Sequence, residues 1–114
     1  MPLGIERRDV EESTSVITLN GKLMLGEASG QFESLVPELL KRGRKNLVFD
    51  LSGLTHIDST GIGRFIDTYS RLMKVSGKMR LAGASGAVRD SFRVTRLDTV
   101  FSFFPTVDEA RAGL

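Results

Sequence analysis

The sequence predicts an α/β domain in which a mixed sheet of four to five strands packs against about four helices. Three observations lead to this fold. The segment Leu47-Val48-Phe49 is apolar without alternation, as in a strand whose two faces are both covered. Residues 60–76 repeat apolar side chains at steps of three and four, as in an amphipathic helix. A strand-like segment at residues 79–82 then completes a strand–helix–strand order, which implies a right-handed crossover and parallel pairing.

The amino-terminal part is predicted to form a hairpin followed by a helix. Residues 5–10 fit a weak edge strand, and residues 15–19 form a β-branched strand that ends at Asn20-Gly21. Residues 27–42 carry apolar side chains at helical spacing, namely Ala28, Phe32, Leu35, Val36, Leu39 and Leu40. Pro37 lies among them and removes one backbone hydrogen bond, so we expect a kink or an interruption there.

The central strand is predicted at residues 46–50, and residues 51–57 form a connection that turns at Ser52-Gly53. The long helix over residues 60–76 follows, and one apolar stripe along it comprises Ile62, Phe65, Ile66, Tyr69, Leu72 and Met73. Its opposite face is polar and includes Thr68, and a glycine at position 77 ends the helix.

The carboxyl-terminal part is predicted to form a helix, a strand and a second short helix. Residues 86–95 fit the first helix, and residues 99–103 fit a short strand. We expect most of the three phenylalanines nearby to pack in the core or along the edge of this strand, and a single exposed ring could instead support dimerisation or partner docking. These residues are Phe101, Phe103 and Phe104. Thr106 and Glu109 have the spacing of a capping box, with the threonine as cap and the glutamate at the third helical position. We therefore expect one domain over residues 1–114, without repeats or linkers.

Composition excludes several classes of function. The 114 residues include 16 basic and 14 acidic side chains, and the net charge of +2 is too balanced to favour nucleic-acid binding. The basic cluster at residues 41–45 suits the last turn of a helix. The absence of cysteine and the single histidine, His56, exclude thiolate and two-histidine metal sites, and we expect no cofactor. No apolar run approaches the roughly 20 residues that span a bilayer, and the amino terminus lacks a signal-peptide core, so we expect a cytoplasmic protein.

The segment His-Ile-Asp-Ser-Thr-Gly-Ile-Gly at residues 56–63 places a serine, Ser59, at the start of the long helix. Free backbone N–H groups and the helix dipole favour negative charge there. The serine can be a helix cap, a nucleophile or a phosphorylation site. Capping by Asp58 or Ser59 is the simplest role. It does not explain Gly61 and Gly63, because each glycine lowers helix propensity by about 1 kcal/mol. The two glycines suggest that something approaches the backbone closely.

Catalytic interpretations fit this segment poorly. An esterase elbow requires Gly-x-Ser-x-Gly, whereas Ile57 stands two residues before Ser59. His56 lies three residues before the serine on the same segment, which is a poor position for a general base. An aspartic protease needs glycine two residues after the aspartate, but Gly61 follows Asp58 by three. Dinucleotide and P-loop motifs are incomplete as well, so we expect that the protein is not an enzyme.

The segment at residues 46–63, Asn-Leu-Val-Phe-Asp-Leu-Ser-Gly-Leu-Thr-His-Ile-Asp-Ser-Thr-Gly-Ile-Gly, resembles the core of a STAS domain. The name denotes sulfate transporters and anti-sigma factor antagonists. The resemblance covers nearly the whole chain, from the hairpin and Asn20-Gly21 to the turn with Gly77 and the helix with Phe92. The soluble single-domain members are bacterial anti-sigma factor antagonists, so the resemblance implies a single STAS-type domain with this role.

The resemblance also implies a phosphorylation switch. In such proteins the serine directly after the loop aspartate accepts the phosphate, which corresponds to Ser59, with Thr60 as the less favoured acceptor. The unphosphorylated antagonist binds an anti-sigma factor serine kinase and frees a sigma factor. Phosphorylation with ATP ends this binding, and a serine phosphatase resets it. The partner-binding residues implied in this way are Asp58, Ser59, Thr60, Gly61, Ile62, Gly63 and Arg64.

A second interpretation of the same resemblance is a STAS adaptor subunit without a kinase partner, such as a stress-signalling scaffold or a lipid-transport accessory. In either case we expect a monomer or a weak dimer. At residues 21–24, Gly-Lys-Leu-Met stands where many antagonists carry an acidic run similar to Gly-Glu-Leu-Asp. The resemblance therefore does not specify which sigma factor pathway the protein serves.

Overall fold

A computed structural model describes residues 3–114, apart from the side chains of residues 27–29, so the packing expected for Ala28 lies outside the described part. The sheet has five strands in the order β1-β2-β3-β4-β5. These are β1 (Gly4–Glu11), β2 (Thr14–Leu23), β3 (Asn46–Ile57), β4 (Lys78–Ala82) and β5 (Ser102–Phe104). Strand β1 pairs antiparallel with β2, and every later pair is parallel, which confirms the predicted mixed sheet.

The helices are α1 (Glu27–Lys41), α2 (Ser59–Lys74), α3 (Gly86–Val94) and α4 (Val107–Arg111). The first three pack on one face of the sheet, and α4 covers the other face. Strand β3 contributes to both sides, because Leu47 and Phe49 join the larger core whereas Val48 packs with Ala110 of α4. The apolar run of β3 therefore reflects a strand that is covered on both faces, as predicted. None of the helices within residues 3–114 is long and apolar enough to cross a membrane.

Phenylalanine rings fix α2 against the sheet and its neighbouring helices. The ring centroid of Phe65 in α2 lies 5.2 Å from that of Phe49 in β3 and 5.3 Å from that of Phe32 in α1. Phe92 of α3 lies 5.6 Å from Phe65. All four rings are buried and the three contacts are edge-to-face, which adds to the stabilisation from burial. The position of α2, and of its amino terminus, follows from this cluster.

Of the kink or interruption expected at Pro37, the interruption is wrong, because helix α1 continues through the proline. Phe32, Val36 and Leu39 are buried along one face of the helix. This packing outweighs the single hydrogen bond that the proline cannot donate, because most helical stability in a protein comes from a buried face. The predicted stop is confirmed, since Gly43 follows the helix with a φ of 76°.

Strand β2 runs past its predicted end at Asn20-Gly21. Strand β3 runs past its predicted end at residue 50 and through the predicted turn at Ser52-Gly53. The two strands stay paired, with register shifts on either side of Asn20-Gly21. The Asn20 side chain lies against Gly53, where a Cβ atom would be 1.8 Å from Asn20 Oδ1. Both dipeptides are thus irregular positions inside paired strands rather than turns, a role that glycine also serves. As a result β3 carries the chain directly to the start of α2.

Two further predictions need correction. Thr68, assigned to the polar face of α2, is buried, because its hydroxyl donates a hydrogen bond of 2.8 Å to the backbone oxygen of Arg64 and so requires no water. The last strand begins at Ser102 rather than at residue 99, because Leu97–Thr99 form a 3₁₀ turn ahead of it.

The carboxyl-terminal elements otherwise follow the prediction. Thr106 Oγ1 accepts a hydrogen bond of 3.2 Å from the Glu109 N–H, which confirms the threonine as the cap of α4. Phe101 is buried in the larger core and Phe103 packs against it. Phe104 packs in the smaller core under α4. The three rings therefore have the packing role that was expected.

The basic cluster at residues 41–45 is only partly a helix end. Arg44 lies after α1, and its side chain is 12% exposed. Its guanidinium donates to the backbone oxygen of Glu12 in the turn between β1 and β2. It also donates to the backbone oxygen of Thr14, the first residue of β2, and to Ser15 Oγ at 3.0 Å. Arg44 therefore fastens the hairpin to the chain that enters β3.

The end of α2 combines a left-handed residue with a close backbone approach. Ser76, rather than the predicted Gly77, takes the left-handed position with a φ of 58°. The Gly77 N–H donates to the Leu72 oxygen at 2.8 Å and closes the helix. Glycine is required at position 77 for another reason: a Cβ atom there would lie 2.1 Å from the backbone oxygen of Lys45.

We expect Gly77→Ala to lower the free energy of unfolding by about 1–3 kcal/mol through overpacking. The Lys45 oxygen cannot easily move away, because it accepts a hydrogen bond of 3.0 Å from the Lys78 N–H at the start of β4. Urea unfolding followed by circular dichroism measures the change. Gly30→Ala in α1 is the matched control, since no heavy atom lies within 4 Å of its Cβ position and alanine favours the helix. A similar loss of stability in both variants would contradict the explanation.

Candidate functional site

The candidate site is the first turn of α2, which follows β3 without an intervening loop. Strand β3 ends at Ile57, Asp58 is the cap residue, and Ser59 is the first residue of the helix. This turn lies at the carboxyl ends of the parallel strands β2 and β3. Binding sites of open α/β sheets gather at that edge.

Asp58 closes the amino terminus of α2 with its side chain. Its Oδ1 accepts a hydrogen bond of 2.9 Å from the Gly61 N–H, and its Oδ2 accepts one of 3.0 Å from the Leu25 N–H. The backbone N–H of Asp58 also donates to the Leu23 oxygen at 3.4 Å. The carboxylate therefore joins the helix to the segment between β2 and α1. Of the two caps that were expected, Asp58 and Ser59, the structure has Asp58.

These hydrogen bonds favour the charged form of Asp58. Partial burial raises the pKa of the carboxyl group, but the backbone donors of Gly61, Leu25 and Thr60 outweigh it, so the pKa lies below its ordinary value. Asp58 is consequently ionised at neutral pH. Its negative charge faces the positive end of the helix dipole, where it stabilises the fold.

The two hydroxyl groups of the segment differ in accessibility. Ser59 is exposed, whereas Thr60 is half-buried. Because Asp58 supplies the cap of α2, the Ser59 side chain is not needed to hold the helix. The serine is thus the residue of this turn that can be modified at the least structural cost.

The two glycines have different structural reasons. A Cβ atom at Gly61 would lie 2.4 Å from the Leu23 backbone oxygen and 2.7 Å from Ile57 Cγ1, so this glycine lets α2 seat against the end of β2. Gly63 is exposed, and no heavy atom lies within 4 Å of its Cβ position. The close approach inferred from the sequence is therefore internal at Gly61, and only Gly63 leaves open space at the surface.

Two of the predicted partner-binding residues, Ile62 and Arg64, are largely shielded from solvent. Ile62 is 8% exposed and belongs to the larger core. Arg64 forms an ion pair with Glu33 of α1, and its side chain is 27% exposed. The arginine therefore joins α1 to α2. Whether it contacts a partner stays a prediction.

A groove of about 450 Å³ lies beside Ser59, between α2 and α3, and Ser59 itself lines it. Its apolar wall is formed by Ile57, Ile62, Ile66 and Val94. Sequence reasoning did not assign α3 to the site. The available indication was Val94, an apolar residue out of helical phase with Val88 and Phe92, which are the buried residues of α3.

The fold and this first turn of α2 agree with a domain family whose sequence model matches residues 7–110, the STAS domain. The chain belongs to the STAS domain family, as the segment at residues 46–63 indicated.

Solved structures of similar fold come from proteins with different roles. An anti-sigma factor antagonist from Mycobacterium paratuberculosis is 25% identical, and the match covers 95% of this chain and 90% of that chain with a TM-score of 0.79. The Bacillus cell fate determinant SpoIIAA in its phosphorylated form is 24% identical, with 94% and 96% covered and a TM-score of 0.77. A sulfate transporter family protein from Wolinella succinogenes is 16% identical, with 92% and 87% covered and a TM-score of 0.78.

We expect Asp58→Ala to lower the free energy of unfolding by about 1–2 kcal/mol at pH 7, because two backbone N–H groups lose their acceptor. The folded-state pKa of Asp58 is lowered, so its charge stabilises the fold fully above the unfolded-state pKa of about 3.9. This contribution disappears as the pH falls through the folded-state pKa. The stability difference from the wild type should therefore shrink below about pH 4.

Urea unfolding of both proteins between pH 7 and pH 2.5 measures this difference. Asp58→Asn is the matched control, since its amide oxygen still accepts a cap hydrogen bond and it should lose less at pH 7. Asp9 also has a lowered pKa, chiefly through the Ser15 hydroxyl, but it titrates in every variant and cancels in the difference. An alanine variant as stable as the wild type at pH 7 would show that the cap is dispensable.

Proposed function

We propose that the protein is an anti-sigma factor antagonist regulated by phosphorylation of Ser59. In its unphosphorylated form it binds an anti-sigma factor serine kinase and frees a sigma factor. Phosphorylation by that kinase ends the binding, and a serine phosphatase restores it. Membership of the STAS domain family and the similarity to anti-sigma factor antagonists support this proposal.

One observation carries the proposal: Ser59 is exposed at the first position of α2, while its neighbour Asp58 makes the cap. A phosphate can therefore be attached to the serine without removing any hydrogen bond that holds the helix. Thr60 is half-buried, so Ser59 is the preferred acceptor.

In this proposal Ser59 supplies the hydroxyl group that is modified, and the kinase and the phosphatase catalyse the two reactions. In the kinase step, Ser59 Oγ bonds to the γ-phosphorus of ATP, the bond between that phosphorus and the β,γ-bridging oxygen breaks, and ADP leaves. The hydroxyl proton passes to a base of the kinase or to water. In the phosphatase step, water attacks the phosphorus, inorganic phosphate leaves, and the serine oxygen takes back a proton.

Electrostatics explains why a phosphate would end binding. It adds about 1.5 to 2 negative charges at Ser59. The Asp58 carboxylate already accepts from Gly61 and Leu25, so part of the positive potential of this helix end is already compensated. The added charge therefore faces outward, toward a partner. A surface packed there would have to desolvate a dianion next to Asp58, and a cost of about 3 kcal/mol lowers affinity about a hundredfold.

We expect Ser59→Ala to bind the cognate anti-sigma factor serine kinase as tightly as the unphosphorylated wild type. Ser59→Asp should bind about tenfold more weakly. This loss is smaller than the hundredfold loss expected for the phosphate, because a single carboxylate carries less charge. Isothermal titration calorimetry with the purified kinase and the non-hydrolysable ATP analogue AMP-PNP measures both affinities without phosphorylation during the titration.

Thr60→Ala is the matched control for this series, since it removes the neighbouring hydroxyl and leaves Ser59 in place. With ATP, the kinase should phosphorylate this variant and not Ser59→Ala, as read by mass spectrometry of the intact proteins. Equal kinase affinity of Ser59→Ala and Ser59→Asp would sink the proposal.

Gly63 offers a separate test of partner approach. Gly63→Ala adds a methyl group to an exposed position of α2, so it should raise the free energy of unfolding by up to about 1 kcal/mol. If the kinase packs against this turn, the same change should weaken binding several-fold. Ser70→Ala, at another exposed position of α2, should leave binding unchanged. Full kinase affinity of Gly63→Ala would mean that the partner does not approach here.

A STAS adaptor subunit without a kinase partner is the second candidate, either a stress-signalling scaffold or a lipid-transport accessory. The similarity to the Wolinella sulfate transporter family protein favours it, because the same fold occurs there. Mass spectrometry of the protein isolated from its native cell separates the two candidates. A complete lack of phosphate at Ser59 under all growth conditions would favour the adaptor.

A further inference from the structure

We infer that the groove between α2 and α3 binds a small organic cation, namely a primary amine whose ammonium group is attached to a compact apolar body. This inference does not depend on the proposed function, because the ligand is a free small molecule and not a protein partner. The groove has a volume of about 450 Å³. Pockets that bind small molecules have volumes of about 300–1,000 Å³, so the groove has room for such a ligand.

The charged side chains that line the groove are acidic. Asp58 lies at the start of α2 and Asp90 lies on α3, and none of the described residues in the lining is basic. Asp58 accepts from the backbone N–H groups of Gly61 and Leu25, which carry no net charge. Asp90 forms an ion pair of 2.7 Å with Arg93, but both side chains are more than half exposed, so water screens this pair. The lining therefore favours a cation over a neutral or an anionic ligand.

The hydroxyl groups on the α3 side of the groove also favour a ligand that donates hydrogen bonds. Ser91 Oγ donates its proton to the Ala87 oxygen at 2.9 Å, and Thr95 Oγ1 donates its proton to the Ser91 oxygen at 2.8 Å. Because both protons are already engaged, these hydroxyls offer a ligand only their lone pairs. A primary ammonium group has three N–H donors and no acceptor, so it matches a lining of carboxylate and hydroxyl oxygens.

The apolar walls of the groove determine the rest of the ligand. Four aliphatic side chains form them, namely Ile57, Ile62, Ile66 and Val94. Val94 is 80% exposed and Ile66 is 47% exposed, so a ligand that covers them removes apolar surface from water. A metal ion or a hydrophilic polyamine would leave this surface wet, whereas an aromatic or branched alkyl group would cover it. The groove thus fits an amine with one charged end and one apolar end.

The ligand would also respond to the charge at position 59, because Ser59 lines the same groove. A negative group there adds to the acidic lining and attracts the ammonium group. Phosphorylation of Ser59 should therefore strengthen amine binding, and the amine should stabilise the phosphorylated form by the same factor. This consequence, unlike the binding itself, rests on the proposed function.

An NMR titration of the isotope-labelled protein with phenethylamine tests the site. Phenethyl alcohol and hydrocinnamate are the matched ligands, since they keep the aromatic body and replace the ammonium group by a neutral or an anionic group. We expect the amine to shift the amide resonances of Ser59, Ile66 and Val94. It should bind about fivefold more tightly than the alcohol, and hydrocinnamate should bind most weakly.

Three variants of the protein identify the groups that hold the amine. Asp90→Asn should weaken amine binding about threefold and leave binding of the alcohol unchanged. Ser59→Asp should strengthen amine binding by a similar factor, because it adds a carboxylate to the lining. Asp67→Asn is the matched control, since Asp67 is an exposed carboxylate of α2 that pairs with Arg71 and does not line the groove. Melting temperatures check that each variant is folded.

Several outcomes would overturn the inference. Equal affinities for the amine and the alcohol would mean that the carboxylates do not select the ligand. Shifts confined to residues outside the groove, or full amine affinity of Asp90→Asn, would place the amine elsewhere. Binding of acetyl-lysine amide as tight as that of phenethylamine would assign the groove to a lysine of a protein partner. None of these measurements involves a kinase, so the amine site and the proposed function can fail separately.

Discussion

The seating of α2 against the end of β2 is the constraint on which the site depends. Gly61 has no side chain because the Leu23 oxygen occupies that space. Asp58 then joins the helix to the segment after β2 by accepting from Leu25 and Gly61. Phe65, two turns along the helix, is locked among other buried rings. With both the first turn and the middle of α2 held in this way, Ser59 has a fixed position without making any of these contacts itself.

Most of the fold was predictable because its elements repeat simple patterns. The apolar run of β3, the stripe of α2 and the cap at Thr106 each depend on neighbouring residues in the chain, so they are legible in the sequence. The predictions that were wrong concern positions whose structure depends on contacts with residues distant in the chain. Asn20-Gly21 is typical of a turn, but the neighbouring strand keeps it paired and its asparagine fills the space left by Gly53. The buried face of α1 likewise overrides the local effect of Pro37.

The position of the candidate site in the chain was predictable from the sequence, but the contacts around it were not. The strand–serine–helix order located Ser59 correctly at the start of α2. From the sequence, both glycines were interpreted as room for an approaching surface. The structure separates them, because Leu23 and Ile57 crowd Gly61 whereas no heavy atom lies within 4 Å of the Cβ position of Gly63. The groove was missed because its second wall belongs to α3, and no local pattern relates Val94 to a residue 35 positions earlier, Ser59.

The use of Asp58 as the cap changes what a phosphate at Ser59 would do. A free helix terminus attracts phosphate with its own N–H groups, and in that case the modification would mainly stabilise the helix. Here the carboxylate already accepts from the Gly61 N–H and faces the helix dipole. The phosphate would therefore find less compensation within the domain, and its repulsion from Asp58 would direct it toward solvent. Such an arrangement keeps the fold almost indifferent to phosphorylation while making any surface that covers Ser59 highly sensitive to it.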